Sequence, residues 1–61
     1  MNKLKARRET LNLTQKQVAE LCGMKQQAYQ QYECEKKLPN VKLGIKIAKA
    51  LECTVEALYD N

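Results

Sequence analysis

Between Leu13 and Cys34 two short helical stretches are separated by a glycine, and this punctuation limits the fold more than any other feature. The Thr14 hydroxyl can cap a helix, and Gln17, three residues later, can reach back to the Thr14 backbone: a capping box. Leu13 before the cap and Val18 at the fourth helical position form a hydrophobic staple. The helix so begun carries Val18, Ala19, Leu21 and Cys22 and stops at Gly23. After Met24 a further stretch runs from about Lys25 to Glu33 or Cys34. At about 100° per residue its faces separate cleanly. Ala28, Tyr29 and Tyr32 fall in one sector, with Gln26, Gln27, Gln30 and Gln31 opposite.

The flanking sequence reads the same way. A first helix is expected from about Asn2 to Leu11, with Leu4, Arg8 and Leu11 recurring so that Arg8 sits beside an otherwise apolar stripe. Asn12 suits the left-handed residue that ends it. A basic loop, Glu35 to Leu38, leads to Pro39; Asn40 then caps a fourth helix with Val41, Gly44, Ile45, Ala48 and Leu51 inward. Gly44 in mid-helix costs about 1 kcal/mol against Ala and is expected to permit close helix packing. Thr54 caps a short fifth helix, with Val55 and Leu58 inward and Tyr59 at the edge. No alternating Val/Ile/Thr run or hairpin dipeptide signals a strand. The prediction is an all-α fold of five short helices, one domain over residues 1–61.

Composition removes several functions. The chain has no histidine, so the usual zinc sites are not available, and Cys22, Cys34 and Cys53 are widely spaced without a CxxC. They are expected to be buried, reduced thiols serving as small apolar residues, and no metal or cofactor is expected. There is no Ser or acid pair with a base and no phosphate loop, which argues against an enzyme. No apolar run approaches the roughly 20 residues needed to cross a bilayer, and no export signal is visible, so a cytoplasmic place is expected. The net charge is +4, and its distribution matters more than its sum. Lys3, Lys5, Arg7 and Arg8 precede the first acid, and Lys36, Lys37, Lys42, Lys46 and Lys49 lie between Glu35 and Glu52. Two basic blocks suit a polyanion held from two sides, although two solvated helix faces would read alike.

Two helices of about eight residues joined by a turn of about three containing Gly23 match the helix-turn-helix pattern, in which the second helix enters the DNA major groove. Val18, Cys22, Met24, Tyr29 and Tyr32 would supply its core. The order Leu13-Thr14-Gln15, Val18-Ala19-Glu20, Gly23, Tyr32-Glu33, Pro39 and Ile47-Ala48-Lys49-Ala50-Leu51 resembles the Cro/C1-type (XRE) family of phage and bacterial repressors, from Leu4 to Leu58. Lys25-Gln26-Gln27 with Gln31 is similar to the recognition helix of the 434-type phage repressors. The resemblance implies a lambda-repressor-like DNA-binding fold, its helix-turn-helix formed by helices 2 and 3, and a transcriptional regulator, chiefly a repressor. The implied partner is a palindromic operator in bacterial or phage DNA, held by a homodimer. No small-molecule ligand is implied.

A glutamine amide offers a donor and an acceptor and pairs bidentately with N6 and N7 of adenine. Gln26, Gln27 and Gln31, with Gln30 behind them, are therefore the candidate base readers. The competing reading is that Gln is a good helix former on a solvated face. Gln15, Lys25, Lys36 and Lys37 are candidates for the DNA backbone, with Lys42 and Arg7 weaker; Lys25 caps a helix poorly, and phosphates would offset that cost. A plain surface lysine fits Lys25 as well. The family's matching Arg and Glu form a structural ion pair, which assigns Arg8 and Glu33 to each other. Glu35 and Glu52 stand where the family has helix-ending glycines, so those two turns are expected to depart from its pattern. Val55, Leu58, Tyr59 and also Leu43 are candidates for a dimer contact, Tyr59 being the better one, because for Val55 and Leu58 the core is the favoured reading. The alternative is a protein-interaction module or antitoxin-like subunit of the same fold with weak DNA binding. An RNA binder would need exposed aromatics, and Tyr29 and Tyr32 point inward.

Overall fold

Side-chain caps start three of the five helices among the described residues, and left-handed residues close four of them. In the computed structural model, which describes residues 2–59, the elements are α1 (Leu4–Thr10), α2 (Gln15–Leu21), α3 (Gln26–Glu33), α4 (Val41–Ala50) and α5 (Val55–Tyr59), without a strand among the described residues. The capping box is complete: Gln17 N–H donates to Thr14 Oγ1 at 3.0 Å and Thr14 N–H to Gln17 Oε1 at 2.8 Å. Asn40 Oδ1 accepts from Leu43 N–H, and Thr54 Oγ1 from Ala57 N–H, starting α4 and α5. α1 begins two residues later than the expected Asn2, which instead lies ahead of it and accepts the Leu4 N–H.

α1 to α4 all end in the same paired closure. The left-handed residue bonds back three residues and its successor five, as in Asn12 N–H to Glu9 O and Leu13 N–H to Arg8 O. Gly23 with Met24, Glu35 with Lys36 and Glu52 with Cys53 repeat it. Their φ values are 58° at Asn12, 70° at Gly23, 64° at Glu35 and 57° at Glu52. The expectation that the turns at Glu35 and Glu52 would depart is therefore corrected. A left-handed L residue costs about 1–2 kcal/mol, and satisfying two orphan carbonyls offsets that cost.

Leu4, Val18, Ala19, Cys22, Tyr29, Ile47, Ala48, Leu51 and Leu58 form the core, with Leu11, Leu13, Met24 and Tyr32 packed against it. α2 packs chiefly on α3, and α4 joins α5 to that pair. The inward stripe of α4 differs from the prediction. Gly44, Ile47, Ala48 and Leu51 are buried, whereas Val41 is 80% and Ile45 45% exposed. Ile45 lies about 100° round from Gly44, so a stripe centred between Gly44 and Ile47 leaves it at the flank. Val55, expected inward, is also exposed beside that flank. Of the three thiols, Cys22 is buried and Cys53 half-buried, but Cys34 is exposed because it follows the last residue of α3 on the solvent side. Among the described residues no helix is long and apolar enough to cross a membrane.

Close packing does not account for Gly44. A Cβ built there would meet Val55 Cγ2 at 3.9 Å and Pro39 Cγ at 4.0 Å, ordinary contacts. Gly44→Ala is therefore expected to stabilise the fold by about 1 kcal/mol through helix propensity. Thermal unfolding followed by circular dichroism should rise by about 4–8 °C. A fall would mean that the α4–α5 contact tolerates no added methyl.

Candidate nucleic-acid interface

α3 is anchored on one side and bare on the other. Tyr29 is fully buried at the centre of its inner face, while Gln26, Gln27 and Gln30 are exposed and Gln31 is half-buried on the outer face. Lys25 occupies the N-cap with extended backbone and provides no side-chain cap, so the first N–H groups of α3 lack the partner that Thr14 supplies in α2. An uncapped helix start presents donors and positive dipole potential together.

The angle of α3 is held by a carboxylate shared among three helices. Glu33 Oε2 accepts from Arg8 Nε at 2.6 Å, and Glu33 Oε1 accepts from Gln15 Nε2 at 3.1 Å. Arg8 also donates through Nη1 to the Leu13 carbonyl at 2.8 Å. The two charged side chains are only 11% and 6% exposed. Burial alone would raise the Glu33 carboxyl, but the bonds from Arg8 and Gln15 outweigh it and hold the group below its ordinary range. The bond to Glu33 raises the Arg8 guanidinium in return. Tyr29 is close by; its hydroxyl is buried without a hydrogen-bond partner among the described residues, and burial first, then the Glu33 carboxylate, push its ionisation far up.

The cationic candidates divide. Lys25, Lys36, Lys37 and Lys42 are exposed, Lys36 and Lys37 in the loop after α3 and Lys42 in the first turn of α4. Arg7 is not part of that set. Its Nε donates to the Leu51 carbonyl at 2.8 Å and its Nη2 to the Glu52 carbonyl at 3.1 Å, so it caps the end of α4. Arg7 as a phosphate contact is corrected accordingly: its donors meet the orphan carbonyls of a helix C-terminus. Gln15 is half-buried, and one of its amide hydrogens is taken by Glu33.

A second surface matches the sequence expectation only in part. Leu38 and Val41 are 79% and 80% exposed, and with Pro39, Gly44, Val55 and Tyr59 they line an apolar groove of about 310 Å³. Leu38, Val41 and Ile45 recur at three and four residues, a signal available in the sequence, but the predicted pattern assigns Val41 and Ile45 to the core stripe and Leu38 to the loop before it. Leu58 leaves the candidate interface set, because it is 1% exposed and its side chain is spent on the core. Leu43 is half-buried against that core.

Two helices crossing at the Gly23 turn, the second fixed by a buried core on one face and bearing amides on the other, define a helix-turn-helix unit. The chain belongs to the Cro/C1-type (XRE) helix-turn-helix family, the model described as Helix-turn-helix matching residues 4–58. It is thus a DNA-binding helix-turn-helix domain of the regulator type. No curated protein sequence matches the chain significantly.

Proposed function

We propose that the protein is a sequence-specific repressor that binds a palindromic operator as a homodimer and reads A·T-rich positions through the glutamines of α3. The observation that carries this reading is the exposed amide face of Gln26, Gln27 and Gln30 on a helix whose opposite face holds fully buried Tyr29. Gln26, Gln27 and Gln31 read bases, with Gln30 at the margin, each amide suited to adenine N6 and N7. Lys25 at the uncapped start of α3, Gln15 through its backbone N–H and second amide hydrogen, and Lys36, Lys37 and Lys42 bind phosphates. Arg8 and Glu33 touch no DNA; they keep α3 at a fixed angle to α1 and α2. Repression follows from occupying a promoter-overlapping operator in the cytoplasm.

One unit grips a half-site weakly, and two recognition helices about 34 Å apart match one turn of DNA. The groove of Leu38, Val41, Val55 and Tyr59 is the contact for the second copy: it is apolar and built from residues outside the amide face. Val41→Lys is expected to leave the fold intact, since Val41 is outside the core, but to place like charges opposite each other in the dimer. One chain per duplex in place of two, with affinity about 100-fold lower, is the result expected once avidity disappears. Sedimentation on the operator duplex reads both quantities, and a dimeric variant of parental affinity would move the contact elsewhere.

The function is tested by salt-titrated binding to a randomised duplex pool, with sequencing of the bound fraction. An enriched palindrome with half-sites about one turn apart supports the reading. Binding without an enriched motif overturns it, and the same apolar groove would then point to a protein-interaction module.

A further inference from the structure

Asn2 lies at the start of the described chain, yet its bonds end at the far end of α3. Its Nδ2 donates to the Tyr32 carbonyl at 2.8 Å, its backbone N–H donates to the Glu35 carboxylate, and its Oδ1 accepts the Leu4 N–H at 3.1 Å. One residue thus joins the start of α1 to the closing turn of α3. That turn presents Lys36 and Lys37, whose N–H groups both donate to the Gln31 carbonyl, at 2.9 and 3.3 Å. Glu35 in between is left-handed, a conformation that a non-glycine residue keeps only when its surroundings hold it.

We propose that Asn2 is a positioning residue for DNA binding: it locks the Glu35 turn, and so fixes Lys36 and Lys37 relative to the amide face of α3. The inference rests on the DNA reading above and adds a residue to it. Lysine side chains are costly to order, and a loop already fixed in its bound shape removes part of that cost. The lock is separate from the Arg8–Glu33 pair, which ties the middle of α1 to α3 and does not reach the turn beyond Cys34. Asn2 touches the turn itself, through the Tyr32 carbonyl and the Glu35 side chain.

Asn2→Ser keeps the cap and removes the side-chain half of the lock, the bond to the Tyr32 carbonyl, while the backbone N–H that donates to Glu35 stays. A serine hydroxyl can still accept the Leu4 N–H across a short turn, but it is too short to reach the Tyr32 carbonyl. In the full chain the variant should melt within about 3 °C of the parent, because the core is untouched. Amide exchange at Lys36 and Lys37 should be faster by about ten-fold as the turn opens locally. Affinity for the selected duplex should fall about 3- to 10-fold, and the slope of log K against log salt should shrink by about 0.9 for each phosphate that is no longer neutralised. The selected base sequence should not change. Parental exchange rates and salt slope would overturn the proposal, and so would a changed base preference at parental slope, which would place the effect on α3. A parent that holds no duplex overturns the DNA reading and this inference together, and that outcome is read on the parent alone.

Discussion

Gln27→Ala is expected to erase the preference at one base position in each half of the operator while leaving binding to the DNA backbone intact. Truncation removes a bidentate amide worth about 1–3 kcal/mol of discrimination, and a dimer loses it twice. Affinity for the selected duplex should therefore drop by at least about 30-fold, at 1.4 kcal/mol per factor of ten. The salt slope should not move, because no phosphate partner is removed. Stability should not move either, since Gln27 is exposed on the outer face of α3. Repeating the pool selection with the variant gives the answer. A motif identical to the parent's would assign Gln27 to the solvated face and remove it from the reading set.

Arg8→Ala and Glu33→Ala are each expected to cost about 2–4 kcal/mol of folding stability. Either change strands a nearly buried charge and unpairs a second polar group besides. Arg8→Ala also orphans the Leu13 carbonyl, and Glu33→Ala leaves the Gln15 amide without its acceptor. At about 4–8 °C per kcal/mol for a chain this size, melting should fall by at least about 8 °C. The double replacement Arg8→Met with Glu33→Met should cost less than either single change, because no unpaired charge remains. A double variant weaker than both singles would mean that the pair is a net source of stability.

The same cluster sets an acid limit. The Glu33 carboxyl is held below its ordinary value of 4.5, so the folded state binds this proton more weakly than the unfolded chain. Its contribution is complete above pH 4.5 and is lost as the pH falls through the lower folded value. Glu33→Gln should flatten that part of the pH–stability profile, as urea titrations between about pH 3 and 6 would record.

Local signals carried much of the architecture into view. The capping box at Thr14 and Gln17, the caps at Asn40 and Thr54, and the stop at Gly23 act within a few residues, and the helices begin and end at them. The two faces of α3 were legible because its aromatics and amides separate at the helical period. Less legible was anything that depended on which neighbour covers a residue. Val41 and Ile45 are as apolar as Ile47, yet only Ile47 is under another helix. Arg7 and Arg8 are adjacent and alike in type, but one meets the carbonyls at the end of α4 and the other meets Glu33. Asn2 reads as an unremarkable helix start until the end of α3 is brought beside it.

By itself, then, the sequence determined the all-α content, the capped starts of α2, α4 and α5, the helix-turn-helix unit and the amide face of α3, because capping, closure and amphipathic period are encoded over spans of a few residues. Tertiary structure decided that Val41 and Leu38 are left outside the core and that Asn2 and Arg7 are spent on distant carbonyls. The roles of Asn2 and Arg7 depend on contacts between segments 30 and 44 residues apart, where a side chain's role is set by the partner the fold brings to it.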